Sequence, residues 1–276
     1  MRQLRRAAAE RLREAGVASP ERDADLLLAH VLDVPLGRLP LVDALAPEQE
    51  AAYDALVARR AAREPLQHLT GTAAFRHVEL AVGPGVFVPR PETELLAGWA
   101  VEQALAVPHV PVVVDLCTGS GAIAAAVKDE VPHADVHAVE LSRDAFRYAQ
   151  ANLTDVDLRL GDAFEAFDDL AGTVDVVVCN PPYIPLEAWE SVAVEARDHD
   201  PHLALFSGQD GLDAMRLLER RAAVLLRPGG VVGAEHADVQ GESGPGVFAA
   251  TGRWLEVRDH RDLAGRARFL TARLAR

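Results

Sequence analysis

The 276-residue chain has few lysines and few cysteines, and both shortages narrow its functions. Lys128 is its only lysine, and 42 acidic residues outnumber 28 basic ones, which gives a net charge of −14. Proteins that bind nucleic acid usually carry a basic face, and no run of Lys and Arg occurs here. The composition therefore argues against a direct nucleic-acid partner.

The two cysteines, Cys117 and Cys179, are too few for a disulfide framework and fit a reducing compartment. No apolar run reaches the roughly 18 residues that a membrane span needs. Charged residues, rather than the apolar core of an export signal, follow the first methionine. We therefore expect a cytoplasmic protein without a membrane partner.

Apolar residues recur at helical spacing in three segments of residues 1–65, which predicts a small N-terminal helical domain. Ser19-Pro20 and Pro47 supply start signals for two of these helices. An alternating segment at residues 77–82 and the turn Gly83-Pro84-Gly85 predict a β-hairpin linker over residues 66–84. Nothing in the helical domain indicates catalysis, so we expect it to dock a partner.

Strands and helices alternate through residues 85–276, which predicts a mostly parallel α/β sheet covered on both faces. Ligands in such Rossmann-like sheets bind beyond the carboxyl ends of the strands. Four polar side chains follow or end predicted strands at 112–116, 136–140, 156–160 and 174–179, and these are Asp115, Glu140, Asp162 and Asn180. Glu235, at a later strand end, is expected to pack near the sheet edge.

A glycine-rich turn, Asp115-Leu116-Cys117-Thr118-Gly119-Ser120-Gly121, joins the first of these strands to a helix. Its glycines allow a tight turn and a close approach of backbone to ligand. Glu140 follows Gly121 by 19 positions and can accept both hydroxyls of a ribose. The pattern also fits the dinucleotide fingerprint. The turn alone therefore leaves a nicotinamide enzyme and a methyltransferase open.

Asn180-Pro181-Pro182-Tyr183 follows the apolar strand at 174–179. The two prolines end the strand and leave the Asn180 side chain and the Pro181 carbonyl as stiffly held acceptors beside an aromatic ring. Two acceptors and a ring suit a planar NH2 group. The tetrapeptide resembles the motif of methyltransferases that alkylate amide or exocyclic amino nitrogens.

Two carboxylates favour a methyltransferase over a dehydrogenase. Asp115 lies just before the glycine turn, where its charge suits the ammonium of a methionine group better than a pyrophosphate. Asp162 follows the third strand and can accept from an adenine amino group. Together with the Asn-Pro-Pro-Tyr turn, these features resemble the S-adenosylmethionine-dependent class I methyltransferases over residues 85–276.

Further segments narrow the resemblance to the HemK/PrmC family, the peptide chain release factor N5-glutamine methyltransferases. The segments are Pro65–Gly71, Gly85–Glu94, Asp198–Phe206 and Gly208–Leu212. The resemblance implies that the substrate is the glutamine of the Gly-Gly-Gln motif in bacterial class 1 release factors, and we expect a monomer. The alternative is an N-methyltransferase that acts on an exocyclic amino group of a DNA or RNA base, because the acceptor geometry would be identical.

The resemblance also implies roles for individual residues. The family's cofactor positions carry over onto Cys117, Thr118, Gly119, Ser120, Gly121, Glu140 and Asn180. Ala163 departs from the family, which can carry a bulky residue there to pack on adenine; Phe164 follows it and can compensate.

In the expected substrate site, Asn180 and Pro181 accept from the amide and Tyr183 packs on its plane. Pro182 completes the turn, and Phe87 walls the pocket. The cluster of Asp198, His199, Asp200 and His202 is expected to shape a loop by hydrogen bonding, so we expect no metal.

Overall fold

Prolines mark the starts of two N-terminal helices in the computed structural model, which describes residues 1–275. The first four helices are α1 (Arg2–Glu14), α2 (Pro20–Leu32), α3 (Pro47–Ala61) and the short α4 (Leu66–Thr70). Pro20 and Pro47 occupy first-turn positions, where the missing N–H costs no helical hydrogen bond. Buried Leu12, Leu27 and Tyr53 belong to the apolar core of this helical segment.

The described chain then alternates strands and helices, as the sequence predicts. The elements are β1 (Thr72–Phe75), β2 (Val78–Ala81), α5 (Thr93–Leu105), β3 (Val112–Leu116), α6 (Ala122–Glu130), β4 (Asp135–Glu140), α7 (Arg143–Asn152), β5 (Asp157–Leu160), β6 (Val174–Cys179), α8 (Val194–His199), α9 (Asp213–Leu225), β7 (Leu226–Glu235), α10 (Ser243–Ala249), β8 (Trp254–Arg261) and β9 (Ala267–Leu274). Over residues 1–275, no helix combines the length and the apolar character that a bilayer span requires.

Seven of the strands form one sheet in the order β5-β4-β3-β6-β7-β9-β8, while β1 and β2 form a separate two-stranded sheet. Neighbouring strands from β5 to β7 are parallel, and β9 is antiparallel to both β7 and β8. This mostly parallel order confirms the predicted Rossmann-like fold class. It also brings the carboxyl ends of β3, β4, β5 and β6 to the same edge of the sheet.

The residues group into two compact units. The first comprises Met1–Thr72, Val82–Pro84 and Ala193–His199, and the second comprises Ala73–Ala81, Gly85–Val192 and the described residues from Asp200 onward. Within the first unit, Glu195 on α8 accepts from Arg63 Nη2 at 2.7 Å and from Arg60 Nη2 at 3.2 Å. These ion pairs explain why α8 groups with the N-terminal helices. The predicted domain boundaries at 65 and 84 stay a prediction.

All six residues of β6 are buried, as its apolar composition predicts. Asp175 is the charged residue of this strand, and a buried carboxylate needs hydrogen-bond partners. Its Oδ2 accepts from the backbone N–H of Val112 at 2.9 Å, and its Oδ1 accepts from the guanidinium of Arg227. The carboxylate therefore connects β6 to the start of β3 and to the start of β7.

The structure differs from the sequence-based prediction in its short elements. The helices α4, α8 and α10 have five, six and seven residues, which is too few for helical periodicity to reveal them. The hairpin strands are confined to Thr72–Ala81, because α4 occupies the residues before them. Strand β7 begins at Leu226, so Arg227-Pro228-Gly229-Gly230, whose proline and glycines are typical of a turn, already belongs to the strand.

Gly233 lies in β7 where a side chain has no room. A Cβ at this position would lie 2.3 Å from Cζ3 of Trp99 on α5. Overpacking of this kind costs about 1–3 kcal/mol, so we expect Gly233→Ala to lower the melting temperature by several degrees. Thermal unfolding followed by circular dichroism measures the change.

Gly246→Ala in α10 is the matched control for Gly233→Ala. A Cβ at Gly246 would meet nothing within 4 Å, and alanine is a better helix former than glycine by roughly 0.5–1 kcal/mol. We expect this variant to melt at or slightly above the wild-type temperature. Equal melting temperatures for the two variants would contradict the tight contact between β7 and Trp99.

Candidate active site

A cavity of about 300 Å³ lies at the carboxyl edge of the sheet, within the second unit. The sequence-predicted residues that border it are Phe87, Cys117, Thr118, Gly119, Ser120, Glu140, Asp162, Ala163, Asn180, Pro182 and Tyr183. Asp115, Gly121 and Pro181 do not border it. The topology therefore gathers most of the predicted cofactor and substrate residues around one space, as expected for ligand sites in parallel sheets.

The turn after β3 has the backbone conformations that its glycines predict. Gly121 has a φ of +86°, and a Cβ there would lie 2.9 Å from Cγ of Leu153. Gly119 has a φ of +59° and donates its N–H to Oε2 of Glu140 at 2.8 Å. Cys117 also has a positive φ of +59°, which side chains rarely adopt. This conformation favours glycine at the Cys117 position.

Asp115 is buried beneath this turn. Its Oδ2 accepts from Thr118 Oγ1 at 2.5 Å and from the Ala124 N–H at 3.2 Å. Its Oδ1 is buried and has no hydrogen-bond partner. Burial raises the pKa of Asp115 to about 7. The carboxylate thus shapes the turn from inside, and the predicted contact with a ligand ammonium stays a prediction.

The raised pKa of Asp115 makes stability depend on pH. Between its unfolded pKa of 3.8 and its folded pKa of about 7, the folded chain binds more protons at this site, so stability falls as pH rises. Asp115→Asn has no such proton to lose. We therefore expect the melting temperature of wild type, relative to Asp115→Asn, to fall from pH 4 to pH 7 and to level off above about pH 8.

The test of that dependence is a pair of melting curves over the same pH series in matched ionic strength. A constant difference between wild type and Asp115→Asn would contradict the raised pKa of this carboxyl. A difference that grows in the opposite direction would show that Asp115 is ionised and stabilised in the folded chain.

Glu140 and Asp162 face the cavity with acceptor capacity to spare. Glu140 accepts from the N–H groups of Gly119 and Ser142, one on each oxygen, at 2.8 and 2.7 Å. Each carboxylate oxygen can accept a second hydrogen bond. Burial raises the pKa of Glu140, while those backbone N–H groups favour its charged form. Oδ1 of Asp162 accepts from the Phe164 N–H at 2.8 Å.

This end of the cavity fits a nucleoside. Glu140 offers acceptors for a diol, and the apolar side chains of Ile123, Ala163 and Phe164 border the same cavity. The donors and acceptors of the wall therefore suit the adenosine part of S-adenosylmethionine. Within residues 1–275, no group of three or more His, Cys, Asp or Glu side chains is arranged to hold a metal ion.

The Asn-Pro-Pro-Tyr turn borders the same cavity. Asn180 Nδ2 donates to Thr93 Oγ1 at 3.4 Å, and the Tyr183 hydroxyl donates to Glu235 Oε1 at 3.1 Å. Burial and the neighbouring Glu235 charge raise the pKa of Tyr183 far above its usual range, so the phenol stays protonated. The guanidinium carbon of Arg90 lies 4.9 Å from the centre of the Phe87 ring.

Two residues at this site were missed as functional in the sequence. Thr93 borders the cavity, and its hydroxyl donates to Glu235 Oε2 at 2.6 Å. Glu235, expected only to pack, ends β7 and accepts from the Tyr183 hydroxyl of the Asn-Pro-Pro-Tyr turn. Its position at a carboxyl strand end was the available signal, since the other predicted polar residues share it.

Comparison with known proteins gives matches over almost the whole chain. Residues 3–71 match the sequence family described as the PrmC N-terminal domain, and residues 93–196 match the methyltransferase small domain. A release factor glutamine methyltransferase of Streptomyces coelicolor is 58% identical and covers 97% of this chain and 96% of its own length. A protein of the same name from Mycolicibacterium smegmatis is 49% identical, with coverages of 98% and 96%.

A solved methyltransferase structure from Pyrococcus furiosus shares the fold. It is 18% identical, covers 81% of this chain and 98% of its own, and superposes with a TM-score of 0.52.

Proposed function

The chain belongs to the family of release factor glutamine methyltransferases, and from this membership we propose its reaction in full. It transfers a methyl group from S-adenosylmethionine to the side-chain amide N5 of the glutamine in the Gly-Gly-Gln motif of bacterial class 1 release factors. The observation that carries the proposal is that Asn180 and Tyr183 border the same cavity as Glu140 and the glycine turn. A group that recognises NH2 thus shares one space with a nucleoside site.

The substrate nitrogen needs help because the carbonyl delocalises its lone pair. S-adenosylmethionine supplies an electrophilic methyl group when bound. Asn180 Oδ1 accepts one hydrogen of the substrate amide and fixes its orientation, so that the lone pair points in line at the methyl group. Positive charge develops on the nitrogen during transfer, and the Asn180 oxygen stabilises it. Tyr183 packs against the amide plane, and Phe87 walls the pocket.

Pro181 has a narrower part in this proposal than the sequence suggests. Its carbonyl is the second predicted acceptor, but the residue does not border the cavity. We therefore assign the dominant contact to Asn180 and keep Pro181 as part of the rigid turn that holds it.

The reaction needs no basic side chain. An N-methylated amide cation is strongly acidic and loses its proton to solvent without assistance. Tyr183 is not available as a base, because its raised pKa keeps the phenol protonated. Its hydroxyl is also committed as a donor to Glu235.

We further propose that the N-terminal helical unit docks the release factor and that the enzyme works in the cytoplasm as a monomer. The residues that border the cavity all belong to the second unit, which leaves the first unit without a part in the chemistry. The acidic net charge of −14 supports a protein substrate over a bare nucleic acid.

The decisive experiment is mass spectrometry of release-factor peptides after incubation with the enzyme and S-adenosylmethionine. We expect one added methyl group on the glutamine of the Gly-Gly-Gln peptide. A release factor with that glutamine replaced by alanine is the matched control and stays unmodified. Parallel reactions with radiolabelled methyl donor and tRNA, rRNA or DNA test the alternative. Label in nucleic acid without label in the release factor would overturn the proposal.

A further inference from the structure

A buried network of hydrogen bonds connects Glu235, at the end of β7, to the Asn-Pro-Pro-Tyr turn. Asn180 Nδ2 lies 3.4 Å from Thr93 Oγ1, and Thr93 Oγ1 lies 2.6 Å from Glu235 Oε2. The other oxygen of Glu235 accepts from the Tyr183 hydroxyl at 3.1 Å. Thr93 is 4% exposed and Glu235 is 1% exposed. One carboxylate therefore connects to both polar side chains of the Asn-Pro-Pro-Tyr turn.

Counting protons shows which group donates in each hydrogen bond of this network. A threonine hydroxyl has one proton, and the 2.6 Å distance commits it to the Glu235 carboxylate. Towards Asn180, the Thr93 oxygen can then only accept. Asn180 must therefore present its NH2 group to Thr93. The oxygen and nitrogen of a primary amide lie on opposite sides, so Asn180 Oδ1 is left for the cavity.

We propose that Glu235 and Thr93 are positioning residues that fix which end of the Asn180 amide faces the substrate. Glu235 also holds Tyr183 through its hydroxyl and thereby sets the plane of the ring. This inference rests on the proposed function of Asn180 as the acceptor of an NH2 group, and it adds the reason why that acceptor points the right way. Glu235 does not border the cavity, and Thr93 acts through its contact with Asn180.

Stability alone does not account for a carboxylate at this depth. Removing a charge from water is unfavourable, and an apolar residue of similar size often stabilises a buried position as well or better. Burial raises the pKa of Glu235, while the hydrogen bonds from Thr93 and Tyr183 and the nearby charge of Arg268 favour the ionised form. Two of the groups that stabilise this charge are therefore Thr93, which contacts Asn180, and Tyr183 itself.

Replacing Glu235 by glutamine would exchange the donor and acceptor roles along this network. The new Nε2 can donate to Thr93 Oγ1, which frees the threonine proton for Asn180 Oδ1. The Asn180 amide would then turn its NH2 group into the cavity, where it faces the hydrogens of the substrate amide. We expect Glu235→Gln to lower kcat on the release factor by about 10- to 100-fold, the range expected when a catalytic group is misplaced.

Thr93 offers a matched pair of variants. Thr93→Val keeps the shape but removes the hydroxyl, and we expect it to lower kcat by about 10- to 100-fold. Thr93→Ser keeps the hydroxyl and is expected to stay within about threefold of wild type. A role in packing alone predicts the opposite ranking, because valine preserves the buried volume better than serine.

The measurements are kcat and KM on the release factor, with melting temperature and S-adenosylmethionine affinity for each variant. We expect kcat to fall more than KM changes, because the acceptor acts mainly on developing charge. Wild-type kcat in Thr93→Val would overturn the inference, and so would equal losses in Thr93→Val and Thr93→Ser.

Failure of the proposed function gives a different result from failure of this inference. An inactive wild type on the release factor, with methyl transfer to nucleic acid, would reject the glutamine substrate. The same variants would then be compared on the nucleic acid, since the orientation of Asn180 matters for any NH2 group. Unchanged kcat on the substrate that wild type accepts would reject the positioning roles.

Discussion

Replacing Asn180 by alanine is expected to lower kcat by about 10²- to 10³-fold, the cost of removing one preorganised polar contact to developing charge. The alanine leaves Tyr183 and the fold in place but offers the substrate amide no side-chain acceptor. Single-turnover transfer to the release factor, with saturating S-adenosylmethionine, measures the effect. Near-normal turnover would show that the acceptor argument is wrong.

Asn180→Asp is the companion variant because it keeps an oxygen acceptor and adds a charge. Aspartate cannot donate to Thr93, so it loses the contact that orients Asn180 in the wild type. It also brings a second carboxylate close to Glu235. We therefore expect a kcat between those of wild type and Asn180→Ala. A kcat below that of alanine would mean that the orienting contact matters more than the acceptor itself.

The residues that border the cavity could be predicted where a short segment of the sequence determines their position. Glu140, Asp162 and Asn180 each end or follow a strand that composition reveals, and parallel topology brings strand ends to one edge. The glycine turn was predictable for the same reason, because its positive φ values follow from Gly119 and Gly121. The fold class follows from the alternation of strands and helices.

The rest depends on contacts between distant residues. Thr93 and Glu235 are 142 positions apart, and no local pattern indicates that they meet. Asp115 lies at a strand end, like Glu140, but its side chain turns under the glycine turn and bonds to Thr118 rather than bordering the cavity. Side-chain direction at a strand end is set by packing around it, which sequence spacing does not reveal.

Gly211→Ala is expected to damage catalysis although the residue lies outside the cavity wall. Gly211 has a φ of +75°, and a Cβ there would lie 2.3 Å from the Tyr183 carbonyl oxygen and 2.7 Å from Gln240 Nε2. Gln240 Nε2 itself donates to that carbonyl at 3.1 Å. The alanine must therefore displace the backbone of the Asn-Pro-Pro-Tyr turn at Tyr183. A shift of about 1 Å in a catalytic group can cost roughly 10²-fold in rate, which is the expected loss of kcat.

Gly252→Ala separates this displacement from backbone strain. Gly252 has a φ of +71°, but a Cβ there would meet nothing within 4 Å. Both variants bear the cost of about 1–2 kcal/mol for a side chain in the left-handed region, so both should melt a few degrees below wild type. Only Gly211→Ala should lose turnover. Equal kcat values in the two variants, measured at saturating substrate, would show that the Tyr183 backbone tolerates displacement, and the rigid turn would no longer explain how Asn180 is held.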